Sequence, residues 1–183
     1  MVRVRMLGAL DVHDAEGREI RGVVAQPKRA ALLAYLTLAS PRGFQRRDTL
    51  LALFWPEQNT EHARNALSQA VHFLRRTLGA DLLISRGGED IAVVKDLWCD
   101  AVAFEECLDA GRVADALALY RGDLLEGFHV TDAAPEFDRW LEQERKRLAQ
   151  RFDSAVEQLA TEREAAGDFI EAIIWWRRLA ARD

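Results

Sequence analysis

The chain has 183 residues, of which 49% are hydrophobic, so it can bury a core, and disorder throughout is excluded. Its formal net charge of −5 argues against a nucleic-acid partner only if the chain is taken as one object. Residues 1–95 carry 14 Lys and Arg against 10 Asp and Glu (+4), whereas residues 96–183 carry 11 against 20 (−9), which indicates either a nucleic-acid partner for the first half or chance variation in surface charge.

The first 24 residues predict short strands. Apolar and basic side chains alternate over 2–6, a second short segment follows at 9–12, and turn residues at 14–17 lead to a third segment at 19–24. A small antiparallel sheet is the expected result.

Two helices are predicted next. Pro27 suits the first helical position, and residues 28–39 are rich in Ala and Leu at helical spacing. A shorter helix is expected over 47–54, because Pro56 pushes the residue before it out of helical geometry.

A third helix and a hairpin complete the first half. Either Asn59 or Thr60 can cap a helix over 61–78. The apolar runs 82–86 and 91–94 are separated by glycines and acids, which is typical of a β-hairpin. The predicted order is therefore sheet, three helices, hairpin.

The second half is predicted to be helical. Residues 101–110 and 113–119 are amphipathic, 122–134 is typical of a connection, and a long helix runs from Pro135 through 164.

The third helix has two chemically different faces. Its apolar side chains at steps of three and four predict a buried face. The opposite face carries hydrogen-bond donors and acceptors suited to base edges, instead of the mixture of Glu and Lys that is typical of a solvated helix. The alternative is that this face is simply exposed to solvent, as most polar helix faces are. The residues predicted to read bases are Asn65, Ser68, Gln69, His72 and Arg76.

Basic residues flank this helix and begin other elements, where they can neutralise phosphates or simply aid solubility. The predicted phosphate contacts are Lys28, Arg29, Arg46, Arg47, Arg64, Arg75 and Arg86.

Five segments of the first half form a distinctive combination: 28–36 (KRAALLAYL), 47–50 (RDTL), 53–56 (LFWP), 63–67 (ARNAL) and 74–79 (LRRTLG). Together they resemble the DNA-binding domain of the antibiotic regulatory protein family of bacterial activators. The resemblance implies an α+β winged helix-turn-helix over 1–96, in which a leading sheet, three helices and a wing hairpin place the third helix in the major groove. The abundance of His and Gln on the reading face departs from the family's pattern and leaves the target sequence open.

The resemblance continues into the second half. Asp100 with Phe104, and Ala116 with the segment 120–125 (YRGDLL), resemble the opening of the bacterial transcriptional activator domain, which is built from tetratricopeptide-like helix pairs. Residues 167–176 resemble the middle of such a repeat, although an isolated helix pair is an alternative. An all-α domain is thus expected over 97–183, cut short at its end because repeats stack on further repeats.

The resemblance implies a sequence-specific transcription regulator, an activator that binds double-stranded DNA as a dimer or higher assembly and recruits RNA polymerase. By analogy, the loop Glu57, Gln58 and Asn59 faces the polymerase, and the helical domain mediates self-association or signal input. The alternative is a protein-interaction module in which the winged helix is a scaffold without DNA binding.

Other functions find little support. The four histidines, His13, His62, His72 and His129, have no ligand or triad spacing and no phosphate-binding loop is present, so no enzyme, cofactor or metal is expected. The lone pair Cys99 and Cys107 is expected to stay reduced. No apolar stretch approaches the roughly 20 residues of a membrane span, and the N-terminus does not resemble a signal peptide, so a cytoplasmic protein is expected.

Overall fold

The computed structural model describes residues 1–94 and 97–182. Within these ranges the chain forms six strands and eight helices, with α1 to α4 in the first half and α5 to α8 in the second. The strands are β1 (Arg3–Arg5), β2 (Asp11–His13), β3 (Gln45–Arg46), β4 (Leu83–Arg86), β5 (Asp90–Val93) and β6 (Trp98–Cys99). The helices are α1 (Arg21–Val24), α2 (Pro27–Leu38), α3 (Arg47–Phe54), α4 (Thr60–Leu78), α5 (Asp100–Asp109), α6 (Val113–Leu119), α7 (Pro135–Ala165) and α8 (Phe169–Ala180).

The leading sheet has the order β2-β1-β6 and is mixed. β1 pairs antiparallel with β2, as Arg3 opposite His13 shows, but it pairs parallel with β6, where Arg3 lies opposite Trp98. The prediction of a purely antiparallel sheet is therefore wrong. β6 joins the sheet because the chain returns to β1 after the hairpin, a long-range pairing that a two-residue strand does not reveal in sequence.

The predicted strand over 19–24 is also only partly correct. Glu19 bridges to His13, and the N–H of Ile20 donates to the carbonyl of Val12 over 2.7 Å. From Arg21 the chain turns into α1 instead, and Val23 is the residue of α1 that becomes buried. The helical conformation suits Arg21–Val24 better than a strand with alternating buried side chains, because Val23 is the side chain of this segment that is buried in the core.

The second sheet has the order β3-β5-β4 and contains the predicted hairpin. Leu83 lies opposite Val93 and Arg86 opposite Asp90. The connecting Gly87 has a φ of 59°, which a glycine adopts without strain. β3, which no sequence signal predicted, adds a third strand through Gln45 opposite Ile91.

The predicted helices of the first half are confirmed. α2 begins at Pro27, α3 covers Arg47–Phe54 as expected, and α4 ends before Gly79. Of the two candidate caps of α4, Asn59 holds the position, since its side-chain oxygen accepts a hydrogen bond from the backbone N–H of His62 over 2.9 Å.

The helices predicted for the second half are confirmed as well. α7 packs closely on α8, and Ala172 is the buried residue of α8. Asp168 precedes α8, and its carboxylate accepts from the N–H of Glu171. Among the described helices, none combines the length and the apolar character needed to cross a membrane.

The two halves meet at a buried carboxylate. Asp100, at the start of α5, accepts hydrogen bonds from the backbone N–H groups of Met6 (2.7 Å) and Leu7 (3.1 Å). A second link follows from the N–H of Leu125, which donates to the carbonyl of Met6 over 2.7 Å. The predicted division of the chain between residues 96 and 97 stays a prediction, because residues 95 and 96, like the terminal Asp183, lie outside the described residues.

Candidate nucleic-acid interface

Helix α4 separates its side chains into a buried and an exposed face. The predicted apolar face is confirmed, since it packs into the core through Ala63, Leu67, Ala70, Val71, Leu74 and Leu78. The five residues predicted to read bases are all exposed: Asn65, Ser68, Gln69, His72 and Arg76. A polar face of this composition is therefore free to meet a partner.

The exposed face of α4 borders a shallow depression of about 490 Å³. All five of the predicted base-reading residues line it, together with Arg29 and Phe73. Arg29 belongs to the first turn of α2, which Pro27 opens. The depression thus joins hydrogen-bonding side chains from one helix to a cation from another, and amides, an imidazole and guanidiniums together suit base edges and phosphates.

The cation Arg29 has a defined place beside this face. Its guanidinium carbon lies 4.1 Å from the centroid of the Phe73 ring, which is cation–π geometry. Phe73 carries no hydrogen-bonding group and was not singled out in the sequence. The sequence signal that could have identified Phe73 is an aromatic residue among polar neighbours, four residues after Gln69.

The residues predicted to contact phosphates differ in solvent exposure. Arg46 and Arg64 are exposed, whereas Lys28, Arg29 and Arg47 are half-buried. The Nε atom of Arg47 is buried without a hydrogen-bond partner among the described residues.

Two predicted phosphate contacts are engaged within the protein. Arg75 donates from Nε to the carbonyl of Leu83 over 2.8 Å and from Nη2 to the hydroxyl of Ser85 over 3.2 Å, which fixes α4 to the hairpin. Arg86 pairs with Asp90 at 2.8 Å, and its guanidinium lies over Phe44. Sequence position alone did not indicate these partners.

The second half of the chain borders the same region. A further depression of about 450 Å³ is lined by Lys28 and Gln69 of the first half and by residues 130–132 of the second. The loop before α7 therefore lies next to the exposed face of α4.

The loop between α3 and α4 is exposed at Glu57, Gln58 and Asn59. The Asn59 oxygen is already used as the helix cap, so the free groups of this loop are the Glu57 carboxylate and the Gln58 amide. No cluster of three or more His, Cys, Asp or Glu suited to a metal ion occurs within residues 1–94 and 97–182.

Comparison with known proteins gives a family for the second half. Residues 99–183 match the family model of the bacterial transcriptional activator domain. The C-terminal half is a bacterial transcriptional activator domain. This match confirms the family resemblance that the sequence predicts for the second half.

The fold resembles that of a solved mycobacterial protein. The structure of Mycobacterium tuberculosis EmbR in complex with a low-affinity phosphopeptide superposes with a TM-score of 0.59 at 20% identity, over 90% of this chain and 47% of that one. The chain thus has an EmbR-like mixed α and β fold with a helical C-terminal region, and spans about half the length of that protein. No curated protein matches the sequence.

Proposed function

We propose that this chain is a sequence-specific DNA-binding transcription activator that reads the major groove with α4. The observation that carries the proposal is that all five polar residues of one α4 face are exposed and line a single depression. Because an α-helix fits the major groove, a helix with a buried aliphatic face and a free polar face can present that face to base edges.

The surrounding elements suit a winged helix-turn-helix. α3 and α4 form the helix pair, and the β4–β5 hairpin, which Arg75 ties to α4, takes the place of the wing. The proposed DNA-binding domain covers 1–96, and the tetratricopeptide-like activator domain covers 97–183. We propose a cytoplasmic protein of which two or more copies bind repeated sites, with the helical domain mediating self-association or signal input.

Variants of reading and phosphate residues are expected to behave differently. Gln69→Ala or His72→Ala should change the preferred sequence, since each removes a group that meets a base edge, with losses of about 1–3 kcal/mol confined to particular positions. Arg46→Ala should weaken all sequences about equally, because phosphates carry no sequence information. Dissociation constants for a panel of single-base variants of one bound site measure both effects.

Arg163→Ala is the matched control, since it removes an exposed cation of α7 outside the proposed interface. Uniform weakening by the Gln69, His72 and Arg46 substitutions alike would contradict the assignment of separate roles.

Recruitment of RNA polymerase is proposed for the loop between α3 and α4. The double substitution Glu57→Ala and Gln58→Ala removes its free polar groups while keeping Asn59, whose cap contributes about 1 kcal/mol to α4. We expect the variant to bind DNA like the wild type and to lose most of its activation in a promoter reporter assay. Unchanged activation would remove this part of the proposal.

A further inference from the structure

We propose that Phe73 is a positioning residue whose ring holds the Arg29 guanidinium beside the reading face of α4 for contact with a DNA phosphate. This inference rests on the proposed DNA binding and assigns a role to a residue that carries no polar group of its own. The contact that carries it is the 4.1 Å separation between the Arg29 guanidinium carbon and the Phe73 ring centroid.

The Phe73 ring also lies next to a second helix, α1. Phe73 is half-buried, and α1 passes so close that a β-carbon on Gly22 would stand 3.7 Å from the Cζ atom of the Phe73 ring. The Cζ edge of the ring therefore lies next to the backbone of α1 at Gly22, while the Arg29 guanidinium lies over the ring. A side chain fixed in this way can hold the long, flexible arginine in one position.

The place of Arg29 suits a phosphate that flanks the bases being read. Arg29 and Phe73 both border the depression that contains Gln69 and His72. A guanidinium at this edge can approach the sugar-phosphate backbone while α4 lies in the groove, since phosphate contacts fix the register of a reading helix. Pre-ordering the arginine reduces the side-chain entropy that is lost when the contact forms.

The charge of Arg29 is available for such a contact. Arg86, the other predicted phosphate residue that lies over an aromatic ring, pairs with Asp90. Within the described part of the chain, Arg29 is in no ion pair with a carboxylate and has the Phe73 ring as its close neighbour instead. A ring orients a cation without neutralising it, so the full charge remains for the phosphate.

A double-mutant cycle tests the inference. Phe73→Leu should weaken binding of a duplex about threefold to tenfold for all sequences alike, the range expected when a cation–π contact is lost. Arg29→Ala should weaken it more and should reduce the slope of log K against log salt by about 0.9, the value for one phosphate. Because Phe73 acts through Arg29, Phe73→Leu should cause no further loss in the Arg29→Ala background.

Phe73→Tyr keeps the ring and should bind like the wild type, and thermal unfolding of each variant checks that the fold is intact. Equal losses from Phe73→Leu in both backgrounds would overturn the inference, because the ring would then act only on the packing of α4. Weakening by Phe73→Tyr as large as that by Phe73→Leu would overturn it too. If the wild type binds duplex and Phe73→Leu has no effect, this inference alone fails, whereas a wild type that binds no duplex overturns the proposed function as well.

Discussion

Raising the salt concentration from 50 to 200 mM is expected to weaken DNA binding by the wild-type protein by several hundredfold. Arg75 and Arg86 use their side chains in bonds to or within the hairpin. Within the described residues, the side chains of the other five predicted phosphate residues form no such bond, namely Lys28, Arg29, Arg46, Arg47 and Arg64. With a slope of about −0.9 per neutralised phosphate, five contacts give a slope near −4.5, and a fourfold rise in salt then lowers the binding constant about 500-fold.

Fluorescence anisotropy of a labelled duplex over this salt range measures the slope. Arg46→Ala should lower its magnitude by about 0.9, whereas the Arg163→Ala control should leave it unchanged. A slope near zero would favour the alternative of a protein-interaction module whose first half is only a scaffold. A slope clearly steeper than −4.5 would mean that Arg75 or Arg86 leaves its partner in the hairpin to contact DNA.

Replacing Asp100 by alanine is expected to lower the free energy of unfolding by about 3–4 kcal/mol. The carboxylate is 2% exposed and accepts from the backbone N–H groups of Met6, Leu7 and Ala101. Each buried donor left without an acceptor costs about 1–3 kcal/mol, and the first two lie across the junction between the halves. Denaturant unfolding measures the loss.

Asp100→Asn is the matched control for this prediction. It keeps the size of the side chain and one acceptor oxygen, so about half of the loss is expected. A loss below 1 kcal/mol in Asp100→Ala would show that the hydrogen bonds from Met6 and Leu7 do not hold the halves together.

The difference in stability between the wild type and Asp100→Asn is expected to depend on pH. Burial raises the pKa of Asp100 above its ordinary value of 3.8, against the opposing effect of its backbone hydrogen bonds. The folded state then binds this proton more readily than the unfolded state, so the part of the stability that is linked to proton binding is fully present below 3.8 and is lost as pH rises through the folded pKa. The hydrogen bonds that the side chain accepts from the backbone are a separate contribution. The stability of the wild type relative to Asp100→Asn should accordingly fall as pH rises from about 3.8.

The bounds of α2, α3 and α4 could be predicted because the signals that set them are local. Pro27 begins α2, Pro56 follows α3, and Asn59 caps α4 within three residues of its own position. The strands β3 and β6 could not be predicted. Each has two residues, and each forms only because a distant strand supplies its hydrogen-bond partners.

The part of the candidate site that lies on α4 could be predicted from the sequence. The exposure of Gln69 and His72 follows from the 3.6-residue period, since it fixes which side chains oppose the buried Leu67 and Leu74. The partners of Arg75 lie on the hairpin and those of Arg29 on a different helix. Such contacts depend on how elements pack, which spacing along the chain does not encode.

A reading role for α4 requires that its exposed face enters a DNA groove and contacts bases. Selection of bound duplexes from a random pool, carried out in parallel with the wild type and the double variant Gln69→Ala and His72→Ala, measures whether it does. We expect a defined preferred sequence for the wild type and a different or relaxed one for the variant, with changes at the few positions that these side chains meet. The same preferred sequence from both proteins would contradict a reading role for α4.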